Sequence, residues 1–243
     1  MKKFFVLLFL VSVLCYFPVA FAQTEFDPAE ITSAVPELSE FHTIIYPMWH
    51  DAYPAKDYEA LKGFVPQIKA SVEAINGAKL PGILRDTEAE WESRLDELNI
   101  AAQNYYNAVN SNDNDALLLA AEKLHSVYER MSRVIRPVLK EIDDYHQTLY
   151  IIYHKLYPDG KFDEIAGLTG DLVTKAEAIM NYPRERLQKR LGDQITRFDA
   201  AAKQLLDATI SLKVALNGGD PKKKNEAVES MHTAYKDPDA VFH

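Results

Sequence analysis

Residues 40–54 read EFHTIIYPMWHDAYP, and residues 144–158 read DYHQTLYIIYHKLYP. The second stretch repeats His42 as His146, Tyr46 as Tyr150, His50 as His154 and Tyr53-Pro54 as Tyr157-Pro158, at a constant offset of 104 residues. A second motif is repeated further along each copy. Glu122-x2-His125-x2-Tyr128 returns as Glu229-x2-His232-x2-Tyr235, at an offset of 107. Only His243, of seven histidines, stands outside the scheme. Around each histidine the apolar residues recur at three and four, the helical period. Leu38, Phe41, His42, Ile45, Trp49 and Ala52 form one stripe; Ile142, His146, Leu149, Tyr153 and Leu156 form its counterpart. The two stretches therefore read as the first helices of two copies of one helical unit, ended by Tyr-Pro because the residue before proline avoids the α region.

The rest of each copy keeps the same period. A second helix is predicted over 57–75, kinked or split by Pro66, with a counterpart over 161–180. Third helices are predicted over 83–109 and 184–216, and fourth helices over 115–133 and 222–236. Asn112-Asp113 reads as a turn and cap. Asn217-Gly218-Gly219-Asp220-Pro221 reads as a glycine stop, an Asp cap and a proline at the first helical position. Four helices with short connections imply an up-down-up-down bundle. The predicted fold is all-α, two tandem four-helix bundles from an internal duplication, over 36–136 and 137–243, with Arg136-Pro137 at the boundary and a loose extension over 23–35.

Residues 1–22 read as a secretory leader. Lys2-Lys3 precedes an apolar run from Phe4 to Val13, and Ala20-Phe21-Ala22 offers small residues at the cleavage site. The run is short for a membrane span, which needs roughly 20 residues. Export to the bacterial periplasm, with no membrane attachment after cleavage, is the expectation. The single cysteine, Cys15, lies inside the leader. The mature chain is thus read without disulfides, thiolate metal sites or covalent haem attachment. Removing the leader's two lysines takes the net charge from −9 to −11. Such an acidic chain disfavours nucleic acid as a partner. No serine or cysteine nucleophile stands beside a histidine and an acid, so nothing points to hydrolytic catalysis.

The histidines carry the functional expectation. A lone interior histidine is most often a core residue bonded to a carbonyl or a tyrosine. Three kept in two otherwise diverged copies suggest a shared task. His42 and His125 are predicted to face the interior from adjacent helices, as are His146 and His232. Eight helical steps separate His42 from His50, a rotation of about 80° and a rise of about 12 Å. His50 and His154 are therefore placed at a tyrosine-lined edge. Glu122 and Glu229 lie one turn before His125 and His232. Glu73, Asp96 and Asp199 are expected near the same levels. The candidate metal ligands are His42, His50, Glu122 and His125, and His146, His154, Glu229 and His232. Imidazole with carboxylate suits Zn, Cu, Ni or Fe. Metal sequestration, buffering or sensing is the leading expectation. The alternatives are a non-covalent haem held by His42 and His125, with His146 and His232 in the second copy, or a structural helical module without cofactor.

A family resemblance bears on the haem alternative. His125-Ser-Val-Tyr128-Glu-Arg130, after Ala120-Ala121-Glu122, resembles the last helix of the periplasmic four-helix-bundle cytochromes, the soluble b-type cytochrome and cytochrome c-prime. His232-Thr-Ala-Tyr235-Lys236 is similar. The resemblance implies haem ligation by His125 and His232, for electron transfer or gas binding. In the b-type protein the second ligand is a methionine early in the first helix, and His42 and His146 lie near that place. The chain departs from the pattern in lacking the covalent haem cysteines, and Met48 has Ile152 as its counterpart.

Overall fold

The computed structural model describes residues 27–111 and 113–242. The leader over 1–22 and His243 lie outside them. The regular structure of the described residues is all helical, with no strand among them. None of their helices is long and apolar enough to cross a membrane.

Proline opens the first helix, α1 (Pro36–Pro47), where a missing N–H costs nothing. Leu38, Phe41 and Ile45 are its buried stripe. The chain then widens into a π-helical segment, Met48–Ala52, where the Tyr53 N–H reaches back to the Met48 carbonyl. A last helical turn, Tyr53–Ala55, runs through Pro54 and stops at Lys56, which takes the left-handed conformation at φ 53°. The helix thus outlasts the expected Tyr53 boundary, because Pro54 sits at the start of a turn and needs no donor there. Next come α2 (Tyr58–Gly63), capped by Asp57 through the Ala60 N–H, and α3 (Val65–Gly77). Pro66 lies in the first turn of α3, so the predicted kink is a full break. A 3-10 turn, Gly82–Thr87, leads into α4 (Glu88–Ser111). Asp113 caps α5 (Asn114–Ile135) by accepting from the N–H groups of Asp115 and Ala116, both at 3.0 Å.

The second half repeats the order. α6 (Lys140–Tyr150) passes into a second π segment, Ile151–Leu156, closed by the Tyr157 N–H on the Ile152 carbonyl. α7 (Phe162–Met180) comes next, without a break. The predicted third helix is broken by a turn over Gly192–Gln194, with Gly192 at φ 53°, into α8 (Arg184–Leu191) and α9 (Ile195–Leu216). α10 (Pro221–Ala240) carries the Asp220 cap and first-turn proline read from the sequence.

Within each half the helices pack in chain order, α1 on α3, α3 on α4 and α4 on α5, with the first π segment against α5. α6 packs on α7, α7 on α9 and α9 on α10, and α10 returns to α6. One buried apolar cluster spans Val35 to Met131 and a second spans Leu139 to Val241. A third, small cluster joins the halves. Ile83 and Leu84 of the 3-10 turn pack on Tyr150, flanked by Ile31 and Ile135. The segment before α1 is not loose from Asp27 onward. Glu30 pairs with Lys155 at 2.5 Å, the Ser33 hydroxyl donates to Asp143 at 2.6 Å, and Val35 is fully buried.

Candidate functional site

Each half zips its first helix to its last through reciprocal ring stacks. In the N-terminal half, Trp49 lies on His125 with ring centres 4.2 Å apart and planes 6° from parallel. One step along, His42 of α1 lies on Tyr128 of α5 at 5.6 Å and 13°. In the C-terminal half, Tyr153 lies on His232 at 3.6 Å and 6°, and His146 on Tyr235 at 4.7 Å and 25°. The third histidine joins through the repeated tyrosine. His50 is 4.5 Å from Tyr46, and His154 is 5.0 Å from Tyr150. His154 also meets His232 edge-on at 6.3 Å.

The π segments explain why the third histidine belongs to the set. A regular helix would turn His50 about 80° away from His42. A π turn holds about one extra residue, which takes back up to about 100°. His50 stays on the side of His42, and Tyr46 touches both rings. His42 and His50 both act electrostatically on His125. His154 and His232 act likewise on His146.

The orientation expected of His42 needs correction. It is exposed rather than interior, as is His50. The buried stripe of α1 passes through Leu38, Phe41 and Ile45, and His42 flanks it. His125, His146, His154 and His232 are half-buried. The carboxylates divide. Glu122 accepts from the Tyr53 hydroxyl at 3.4 Å, and Glu229 from the Tyr153 hydroxyl at 3.0 Å. Burial, then the neighbouring glutamate, holds both tyrosines above the usual phenol range. Glu129, which the repeat pattern does not single out, lies 3.9 Å from His125. Glu73 and Asp96 are exposed, and Asp199 pairs with Arg184 at 2.6 Å; none of the three meets a histidine among the described residues.

The two copies differ in what covers them. Tyr46 is 53% exposed, whereas its counterpart Tyr150 is 1% exposed. The difference is Arg85. Its guanidinium donates to the Tyr150 hydroxyl, to the Gly82 carbonyl at 2.9 Å and to His154 Nδ1 at 3.0 Å. An arginine only donates, so Nδ1 of His154 is an acceptor and its proton sits on Nε2. Burial first, and Arg85 second, push His154 down to about 4. Burial also pushes His146 down to about 4, against the opposing pull of Asp86. His125 and His232 are lowered too, again chiefly by burial. All four are thus held neutral at pH 7, the form that binds metals. Arg85 and Asp86 belong to no repeated motif, so the sequence carried no signal for them.

Among the described residues no three His, Cys, Asp or Glu side chains stand together at ligand distance. Coordination would require the rings to turn off their aromatic partners. Such a stack contributes about 0.5–1.5 kcal/mol. Binding of structural zinc in small peptides releases about 10–16 kcal/mol, so the stacks are a small obstacle. Haem ligation would require the same reorientation, since His42 and His125 lie flat on Tyr128 and Trp49. No protein-family model, curated protein or solved structure matches the chain.

Proposed function

We propose that this is an exported two-bundle protein that captures a transition-metal ion at the open histidine set of its N-terminal half. In this reading each half is an up-down-up-down four-helix bundle, and the two arose by duplication. His42, His50 and His125 are the ligands, with Glu122 or Glu129 completing the set. The carrying observation is two imidazoles with open access that both act on His125: His42 and His50 are exposed, and Tyr46, which touches both rings, is uncovered. The equivalent set, His146, His154 and His232 with Glu229, is capped by a guanidinium that repels a cation and occupies Nδ1 of His154. Its role is structural, as a buttress between the halves. The biological task is metal sequestration or buffering in the periplasm.

The test is elemental analysis of the purified protein and then calorimetric titration with Zn, Cu and Ni. One ion per chain is expected, with affinity lowered roughly tenfold or more in His42→Ala plus His50→Ala and little changed in His146→Ala. Affinity falls below about pH 6, where imidazole protonates. No bound metal, or equal affinity in the double variant, would sink the proposal. A Soret band on adding haemin would move the assignment to haem.

A further inference from the structure

Between the halves lies a cleft of about 720 Å³, apart from the open histidine set. Small-molecule sites run to about 300–1,000 Å³ and favour such junctions. Its floor is apolar: Ile83, Leu84, Val134, Ile135, Val138 and Ile142. Its walls have opposite character. The N-terminal half contributes Arg94 of α4, paired with Glu90 at 3.2 Å, and Arg130 and Arg133 of α5, and the linker adds Arg136. Arg94 and Arg130 share Glu97, at 2.8 and 2.7 Å. Arg133 and Arg136 form no ion pair among the described residues. The Arg94 Nε–H is buried without an acceptor. A buried donor left unsatisfied costs about 1–3 kcal/mol.

The facing wall comes from the C-terminal half. Asp143 of α6 and Asp239 of α10 line it around Tyr235, with His146 and Lys236 alongside. Asp86 reaches toward the same place from the 3-10 turn, and all three carboxylates act on Tyr235. Burial first, then these carboxylates, hold that phenol well above its usual range. Carboxylates gathered in this way favour an organic ammonium. Its opposite wall favours a carboxylate, which arginine binds through two parallel N–H groups.

We propose that the cleft binds a short linear peptide with free termini and aliphatic side chains. The C-terminal carboxylate sits on Arg133 and Arg136, the N-terminal ammonium sits at Asp86 and Asp143, and the side chains lie on the apolar floor. A peptide separates its two terminal charges along the chain, whereas a free α-amino acid carries both on one carbon. The assignment is independent of metal binding at the N-terminal half.

Isothermal calorimetry on the full chain, with the metal-free protein, tests this. The probes are the tripeptide alanyl-leucyl-alanine, the same peptide acetylated or amidated, and free leucine. Saturable binding of the uncapped peptide is expected, weakened roughly tenfold or more by either cap, in Arg133→Ala plus Arg136→Ala, and in Asp86→Asn. Circular dichroism confirms that each variant folds; the two arginines are exposed, so their removal leaves the cores intact. Equal binding of capped and uncapped peptide, tight binding of leucine alone, or no heat at millimolar peptide would overturn the assignment.

Discussion

Single side chains decide how the halves meet. A Cβ on Gly82 would land on the Tyr150 hydroxyl and ring, which Arg85 and Leu84 hold in place. Overpacking of this kind costs about 1–3 kcal/mol. Gly82→Ala should therefore lower the melting temperature by several degrees; an unchanged transition would show that the turn yields freely. Arg85→Ala tests the cap electrostatically. It removes a cation and opens the site to water, so His154 should titrate well above its present value of about 4, toward 6.5. Histidine resonances tracked by NMR across pH 3 to 8 would show the move. A value still near 4 would mean that burial by other residues is sufficient.

At the scale of the element, the π segments set the register of the sites. Both copies carry one, and each holds the second histidine of the repeat. Deleting Asp51, an exposed residue within the first, should restore regular winding and rotate α1 by about 100° relative to the turn beyond the deletion. Trp49 would then leave His125, which changes the indole emission, and metal affinity at the N-terminal half would fall. Emission and affinity both unchanged would show that the extra residue has no positional role. Much at this scale was legible in the sequence. The helical period, the break at Pro66, and the Asp113 and Asp220 caps are local chemistry written in adjacent residues. The π segments were not legible, because an apolar stripe interrupted by one residue reads the same whether the helix widens or merely exposes that residue. His42 was misplaced for a related cause: next to Phe41 on the stripe's margin, it lies just outside the boundary between buried and wet.

For the whole molecule, the halves should respond differently to acid. An unfolded histidine takes up its proton near pH 6.5; folded His146 does so near 4. Above pH 6.5 both states are neutral and nothing changes. Between 6.5 and 4 the unfolded chain binds protons that the folded chain refuses, so stability falls as pH falls, and the loss is complete below 4. For His146 the loss amounts to about 3 kcal/mol, enough to matter against a total of about 5–15 kcal/mol. Burial lowers three histidines of the C-terminal half, His146, His154 and His232, against His125 of the N-terminal half. Both tryptophans, Trp49 and Trp91, lie in the N-terminal half. At pH 4.5 helix loss seen by circular dichroism should therefore precede any change in tryptophan emission; simultaneous transitions would count against it. That asymmetry was invisible in the repeat itself, because the cap on Tyr150 is made by residues without a repeated partner. It also limits dissection. Cutting the chain at the linker would bare Ile83 and Leu84 on one fragment and Tyr150 on the other. The halves are alike in pattern but not modular, and a protein made from either half alone would need a polar replacement at that seam to remain dispersed in solution.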